Sequence, residues 1–284
     1  CGAEGIADTV ARLDSLGISH TGAGADLSTA SRPVFLERGG RRIGLLSYNC
    51  VGPEAGWAGA ERAGCNFLRM TTRDGGPVMP PSDLVAPTPE ALDRMRGDIA
   101  AARVGAALLV VAFHKGIVHT PARLAPYERP LAEAALDAGA DIVVGHHAHI
   151  VRGVELRAGK PLFHGLGNGC VVTHALSPKQ DHPARAAWAK RRKELFGFEP
   201  DPRYELAPFH PEAVHAVIGV VRLEGDGSMR MGVIPVHVEP PGRPVCVNDA
   251  RAEAVIAYLD RIGAMAGLPP RRWQREGEWL WMCT

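Results

Sequence analysis

The sequence lacks several features that would place it in a class at once. No apolar run approaches the roughly 18 residues that a membrane-spanning helix needs. The formal net charge is only +1, without a long run of one sign, which argues against a nucleic-acid-binding protein because such proteins carry a basic stripe. With 284 residues, 46% of them hydrophobic, the chain can bury a sizeable core in one large domain or two small ones.

Paired cysteines are also missing. The six cysteines are scattered, and no two of them form a C-x-x-C pair, which excludes a zinc ribbon or a thioredoxin motif. Reduced thiols are expected in a chain of this length. The chain starts at Cys1, which fits a fragment, a processed chain or a lipoprotein with a lipidated first cysteine. A fragment is favoured, because helical periodicity begins at Glu4, where a lipoprotein would have a flexible tether.

The common catalytic signatures are absent as well. The sequence has no Gly-x-Ser-x-Gly elbow and no phosphate-binding loop, and Gly22-Ala23-Gly24 lacks the third glycine of a dinucleotide fingerprint. No Asp-x-His or Gly-Asp-x-x-Asp segment supplies the bridging carboxylate that a two-metal site usually requires. The residues by themselves therefore do not show how a dinuclear site would be completed.

The sequence does contain two apolar, β-branched runs that end abruptly in histidine and glycine. Short continuous apolar runs bounded by turn signals predict buried strands, and the functional groups of α/β folds lie where such strands end. The predicted strands are residues 107–113 and 141–144. The histidines that follow them are His114, His146, His147 and His149.

Four imidazoles at two strand ends predict a metal centre, because neutral imidazole is the commonest metal ligand. His147 and His149 are two residues apart, and in an extended segment such side chains point the same way. His114 becomes a further ligand if a crossover places the two strands side by side. The alternative is a solvated loop that happens to hold three histidines. His119 and His164 are either proton donors near the metal or hydrogen-bonded surface residues.

The rest of the chain predicts alternating helices and strands. Residues 50–87 are expected to be a long loop, residues 174–212 a polar surface insertion, and the tryptophan-rich tail to pack back on the body. Helices are predicted from residue 4 to a stop at Gly17, from a Thr88 cap to 103, and over 125–138, 184–195 and 250–267; hairpins are predicted at Gly39-Gly40, over 153–163, and between 213–223 and 229–238.

These motifs resemble those of the CapA family, the poly-γ-glutamate capsule biosynthesis proteins related to calcineurin-like metallophosphoesterases. The resemblance covers roughly residues 1–240. It is carried by His114-x-Gly116, Gly145-His146-His147-x-His149, Gly153-x-Glu155, Gly159-Lys160-Pro161-x-Phe163 and Leu166-Gly167-Asn168.

The resemblance implies a four-layer α/β/β/α sandwich whose N-terminal part is missing. The family's first aspartate-bearing strand and its Asn-Asn-His segment would then lie upstream of Cys1 and would supply the absent carboxylates. The implied domain spans residues 1–247, with residues 248–284 as a C-terminal helix and tail packed on it. The implied metal ligands are His114, His147 and His149, with His146 as an alternative.

The chain also departs from the family pattern close to these histidines. Lys115 stands where the family often has Trp, Val118 where it has Glu, and Arg152 where Gln is usual. His164-Gly165 replaces Tyr-Ser. These changes leave open a substrate other than the capsule polymer.

The first functional hypothesis is a metal-dependent hydrolase that acts on a polyglutamyl, peptide or phosphoester substrate. Divalent metal ions (Mn, Zn, Fe or Ca), two of them in the full-length protein, would polarise an oxygen and lower the pKa of bound water. A histidine would act as general acid or base, or the same groups would epimerise a peptide. The expected acid–base residues are His146, His119 and His164, and the expected substrate-binding residues are Lys115, Arg152 and Asn168.

The second hypothesis is a non-catalytic accessory of a polymer-synthesising complex that binds an anionic chain. The simpler interpretation of its basic residues is a solvated face. No nucleic-acid partner and no membrane span are expected. The residues that would supply the charge are Lys115, Arg152, Lys190, Arg191 and Arg192.

Overall fold

The computed structural model describes residues 2–79, 82–173 and 183–283. It is a mixed α/β protein with several sheets, which confirms the α/β class but not the four-layer arrangement that the resemblance implies. Two compact units are present. The first unit comprises Cys1–Gly116 and Leu124–His146, and the second comprises Ile117–Arg123 and His147–Thr284.

The first unit is built on strands in the order β2-β3-β7-β8. Strands β2 and β3 are antiparallel, and β3 and β7 are parallel. Its helices are α1 (Ala3–Ser15), α2 (Leu27–Ala30), α3 (Pro89–Val104) and α4 (Glu128–Asp137). Its strands are β1 (Ala23–Gly24), β2 (Val34–Arg38), β3 (Arg41–Asn49), β4 (Gly64–Cys65), β5 (Met70–Thr72), β6 (Leu84–Pro87), β7 (Leu108–Lys115) and β8 (Ile142–His147, whose last residue belongs to the second unit).

Local sequence signals account for several of these elements. Gly39 and Gly40 both adopt positive φ in the two-residue turn of the β2–β3 hairpin, as a primed turn requires. Thr88 caps α3 by accepting a hydrogen bond from the backbone N–H of Ala91, as predicted. Helix α4 begins at Glu128 rather than at 125, which leaves Pro130 in its first turn, where no N–H is needed.

The expectation of a long loop over residues 50–87 is wrong. This stretch contains β4, β5 and β6, and β5 pairs with β6 in an antiparallel ribbon. It also buries Trp57 and Leu68, which are 2% and 0% exposed. Strands of two to four residues are too short to show a hydrophobic period, so the sequence carried no detectable signal for them.

The second unit contains a β9–β10 hairpin and a sheet in the order β11-β12-β15-β14, with β13 paired to β12. Within the described ranges, no helix is both long and apolar enough to cross a membrane. The helices of this unit are α5 (Pro183–Lys190), α6 (Arg192–Phe196) and α7 (Ala250–Met265). Its strands are β9 (Val154–Arg157), β10 (Lys160–Phe163), β11 (His215–Leu223), β12 (Met229–Glu239), β13 (Arg243–Cys246), β14 (Arg272–Glu276) and β15 (Trp279–Cys283).

The predicted hairpins of the second unit are confirmed. Strands β11 and β12 pair from His215↔His237 to Leu223↔Met229. The tryptophan-rich tail does pack back on the body: β15 joins β12 with Gly232 opposite Trp281, whose side chain is fully buried. The strands of this tail, β14 and β15, were not predicted. The first part of the predicted insertion, residues 174–182, lies outside the described residues.

Candidate functional site

The first unit brings His114 and His146 together. His114 lies near the end of β7, and its ring centroid is 4.9 Å from that of His146, with the planes at 62°. The parallel register of β3 and β7 sets Asn49 beside His114. Asn49 is itself fixed, because its Oδ1 accepts a hydrogen bond from the Val51 N–H at 2.8 Å. The partner of His114 in this unit is thus the histidine that the resemblance treated as an alternative.

Lys115 is buried in an ion pair. Its burial follows from the alternation of β7, where Leu109, Val111 and Phe113 form one buried row and Lys115 is the next member of that row. Its Nζ donates to Glu128 Oε2 at 2.7 Å, and the two side chains are 0% and 1% exposed. Lys115 therefore does not lie on a solvated face, and its expected contact with substrate stays a prediction.

The same carboxylate fixes the backbone that follows His114. Glu128 Oε1 accepts a hydrogen bond from the Ala125 N–H at 2.7 Å. The Gly116 N–H donates to the Tyr127 hydroxyl at 2.8 Å. Gly116 has φ +103°, and a Cβ there would lie 3.1 Å from Glu128 Oε2, so glycine is the residue that fits.

Backbone strain in the second unit is concentrated at the candidate histidines. Among the described residues, the non-glycine residues with positive φ are His119 (53°), His147 (101°), His149 (53°) and Ala158 (50°). Positive φ is uncommon outside glycine, and such residues cluster at functional sites.

This backbone corrects the predicted geometry of the His147/His149 pair. The chain is not extended through these residues, so strand alternation does not align their side chains. The left-handed turn nevertheless leaves the two ring centroids 6.4 Å apart, at 50°. His119 lies beside this pair, with its ring centroid 6.0 Å from that of His149. Its backbone N–H donates to the Ala148 carbonyl at 2.8 Å.

Asn168 fixes the orientation and the tautomer of His149. The Asn168 Nδ2 donates to the His149 carbonyl at 2.8 Å, which turns Oδ1 toward His149 Nδ1 at 3.1 Å. Because Oδ1 only accepts, Nδ1 carries the proton and Nε2 keeps its lone pair. Burial lowers the pKa of His149 below its ordinary 6.5, and the hydrogen bond to Asn168 offsets part of this shift. The neutral, ligand-competent form is therefore favoured.

Arg152 holds the loop that carries His119. Its side chain is fully buried, and its guanidinium donates to the carbonyls of Ile117, Thr120 and Arg123. The contact of Arg152 with substrate stays a prediction, and its observed position is structural. The neighbouring Gly165 is coupled to it, because a Cβ there would lie 2.7 Å from Arg152 Cγ. Glycine is therefore the residue that fits at position 165 beside the Arg152 side chain.

His164 is also buried, at 1% exposure. Its Nε2 lies 2.8 Å from Glu155 Oε1, and the carboxylate side chain is 3% exposed. The alternative of a surface histidine is therefore wrong, while a role in proton transfer stays a prediction.

An aromatic segment, residues 196–210, packs on these histidines and was not predicted from the sequence. The His119 ring centroid lies 5.2 Å from that of Phe196 and 5.1 Å from that of Phe198. Phe209 stacks on His149 at 4.6 Å, with the planes at 11°. Three of the seven phenylalanines of the chain fall in this short stretch, a signal that the polar composition of the predicted insertion obscured.

The second unit contains three further histidines among the described residues, His210, His215 and His237. His215 and His237 face each other across β11 and β12, with ring centroids 6.2 Å apart. His210 contacts Phe198 at 4.9 Å, and His174 and His182 lie outside the described residues.

Over residues 2–79, 82–173 and 183–283, no three or more His, Cys, Asp or Glu side chains form a group that could hold a metal ion. Imidazoles come together in pairs: His114 with His146 in the first unit, and His147 with His149 in the second. The nitrogen donors fit the chemistry of a transition metal, most directly at His149, whose Nε2 lone pair is fixed. The prediction of His114, His147 and His149 as ligands stays a prediction.

Known proteins show where this chain belongs. A family model described as bacterial capsule synthesis protein PGA_cap matches residues 1–171. A probable polyglutamine synthesis accessory protein of Mycobacterium tuberculosis (strain H37Rv) is 33% identical over 172 residues, which cover 59% of this chain and 41% of that protein. Capsule biosynthesis protein CapA of Bacillus anthracis is 29% identical over 167 residues, covering 59% and 36%. The chain thus spans about two fifths of the length of these relatives.

An uncharacterized protein of Sinorhizobium fredii is 29% identical over 297 residues, covering 84% of this chain and 63% of that protein. A hypothetical protein from Thermus thermophilus covers 75% of this chain and 58% of its own at 17% identity, but its TM-score of 0.30 is too low to assign the fold. The family model matches more than half of the 284 residues. The chain therefore belongs to the bacterial capsule synthesis protein PGA_cap family, which confirms the resemblance to CapA proteins.

Proposed function

We propose that this chain is part of a metal-dependent hydrolase that acts in capsule polymer biosynthesis. The family membership and the names of the Mycobacterium and Bacillus relatives support the biosynthetic role. The substrate is a polyglutamyl or peptide chain, or a phosphoester. The finer fold that accompanies this proposal is the four-layer α/β/β/α sandwich of metallophosphoesterases.

The observation that carries the proposal is the left-handed backbone at His119, His147 and His149. A residue held in such a conformation costs about 1–3 kcal/mol and persists only where its surroundings over-determine it. Here the surroundings do so with a fully buried arginine, an asparagine and a phenylalanine stacked on His149. Backbone strain at three neighbouring histidines supports a functional role for this cluster.

The histidines would hold the metal through neutral imidazole nitrogens. His147 and His149 would do so in the second unit, and His114 in the first. A bound divalent ion would polarise a carbonyl or phosphoryl oxygen and lower the pKa of bound water.

Solvent exposure distinguishes the three candidate acid–base histidines. His119 and His164 are buried, at 6% and 1% exposure, whereas His146 is exposed. A group that returns protons to solvent in each cycle needs such access, so we assign general acid–base catalysis to His146. His164, held by Glu155, and His119, held by the Ala148 carbonyl, would keep the surrounding backbone in place.

The accessory alternative loses part of its support. The accessory hypothesis assigns binding of an anionic polymer to five basic residues. Two of them, Lys115 and Arg152, are buried. Lys190 and Arg191 are exposed, while the Arg192 side chain lies outside the described positions. Of the five residues, the exposed pair Lys190 and Arg191 is what still supports this alternative.

Metal content and hydrolysis, measured together, test the proposal. The chain, purified without chelators, is expected to carry metal by elemental analysis and to cleave a phosphoester, a peptide or a polyglutamyl probe. Replacing His149 with alanine should abolish both, whereas His215→Ala, outside the site, should change neither. A metal-loaded protein inert on all three probes would leave the accessory role, and a chain that binds no metal would exclude the catalytic one.

A further inference from the structure

The aromatic segment contacts a candidate ligand on a face of its ring, whereas the hydrogen bond to Asn168 lies in the ring plane. Phe209 is 4% exposed and lies nearly parallel to the His149 ring, with centroids 4.6 Å apart. Phe198, 8% exposed, contacts the His119 ring edge-on, with the planes at 75°. Phe209 is thus the member of the segment that stacks face to face on a proposed ligand.

A single hydrogen bond does not fix a ring. The contact between His149 Nδ1 and Asn168 Oδ1 restrains one atom in the ring plane, and the imidazole can still rock about its χ2 torsion, which has a broad energy well. A stacked aromatic ring resists this motion, because tilting His149 would push it into Phe209 or open a gap in a packed contact. The stack and the hydrogen bond together define both the plane and the direction of Nε2.

We propose that Phe209 is a positioning residue that presents His149 Nε2 to the metal. This inference rests on the proposed function, since it presupposes that His149 is a ligand. Residues that orient a ligating histidine typically change metal affinity by 10–100-fold when they are replaced. Phe209 supplies no hydrogen bond, so the lower end, about tenfold, is expected for its removal.

The chain offers a matched control. Tyr258 is 5% exposed, and its ring stacks at 4.6 Å and 30° on His215, a histidine outside the site. Tyr258→Leu therefore removes an aromatic ring of similar burial, at the same centroid distance from a histidine, in the same unit. Any general effect of losing a buried ring appears in both variants.

The test is a Co²⁺ titration followed by the visible absorption of the bound ion. Phe209→Leu should weaken binding about tenfold, Phe209→Tyr should restore it, and Tyr258→Leu should bind like the parent. Equal affinity of the parent and Phe209→Leu overturns the inference while leaving the proposed function standing. A parent that binds no Co²⁺ overturns both.

A second measurement requires no metal and serves if Phe209→Leu does not fold. Long-range ¹H–¹⁵N NMR of the His149 ring should show the proton on Nδ1 in the parent and in Phe209→Tyr. Phe209→Met, which keeps the volume but not the flat ring, should show a mixture of tautomers. A pure Nδ1–H tautomer in Phe209→Met would assign the orientation to Asn168 alone and exclude a positioning role for Phe209.

Discussion

The two units hold their histidines in opposite ways. In the first, His114 stands on a regular strand whose register with β3 sets its neighbours, and a buried ion pair fixes the next residue. In the second, His119, His147 and His149 stand on left-handed backbone. That backbone is held by the Arg152 guanidinium, by Asn168 and by Phe209, which stacks on His149.

The difference shows what each arrangement demands of the rest of the chain. A strand positions a side chain through its ladder, and the surrounding residues need only be compatible with the sheet. A loop has no ladder, so its carbonyls need other donors, and a buried arginine supplies several from one planar group. Substitutions that disrupt the supporting contacts should therefore change stability differently in the two units.

The largest effect is expected at the Lys115–Glu128 pair of the first unit. Glu128→Gln removes one charge and leaves the ammonium buried, which should lower the free energy of unfolding by about 3–5 kcal/mol. Urea unfolding measures this change. Adding Lys115→Met should recover much of the loss, because no charge then remains buried. If the double variant is no more stable than Glu128→Gln, the pair is not the source of the destabilisation.

The second-largest effect is expected at Arg152. Arg152→Met leaves the carbonyls of a buried loop without their donor, which should cost about 2–3 kcal/mol. Arg152→Lys should fall between the parent and Arg152→Met, since an ammonium cannot span the same fork of acceptors. Thermal unfolding combined with hydrogen exchange of residues 117–123 reports the loop directly. Unchanged exchange in Arg152→Met would show that the loop is held by other contacts.

The coupling of Arg152 with Gly165 provides a separate check. Gly165→Ala places a Cβ 2.7 Å from Arg152 Cγ, so it should destabilise the parent. The same change should cost less in an Arg152→Ala background, where that carbon is absent. Additive costs in this double-mutant cycle would show that positions 152 and 165 are independent.

Much of the first unit could be predicted, because its signals are local and periodic. The hairpin at Gly39-Gly40, the Thr88 cap and the β7 strand end at His114 each depend on a few neighbouring residues. Even the burial of Lys115 follows from continuing the row of Leu109, Val111 and Phe113. Its partner could not be predicted, because Glu128 lies 13 residues away on another element.

The site in the second unit was predicted as a set of residues but not as a geometry. His147 and His149 were predicted to lie at a strand end, and β8 does end at His147, while their role as ligands stays a prediction. Alternation gave the wrong backbone, since no sequence pattern sets the sign of φ at a histidine. Phe209 was missed because it lies 60 positions beyond His149 and packs through tertiary contacts. Such contacts depend on the fold and not on sequence spacing.

A smaller effect, with opposite signs in the two units, is expected from glycine and alanine substitutions. At His147 and at His149, glycine should be more stable than alanine by about 1 kcal/mol, because it relieves the left-handed strain. At His114, on regular strand, alanine should be more stable than glycine by about 0.5–1 kcal/mol. Denaturant midpoints of the six variants measure both differences. The same sign at all three positions would remove the distinction between the units.

The smallest effect is expected from a pair of histidines that lies on regular strands within the second unit. Burial lowers the pKa of His215 and of His237 below the ordinary 6.5, so the unfolded chain binds protons first as the pH falls through 6.5. Stability should therefore decrease from about pH 6.5 downward until the folded pKa values are passed. The double variant His215→Gln/His237→Gln should show a shallower decrease in urea midpoint between pH 7.5 and 5.5. An unchanged slope would place the pH sensitivity elsewhere, on His149 or on His210, whose pKa values burial also lowers.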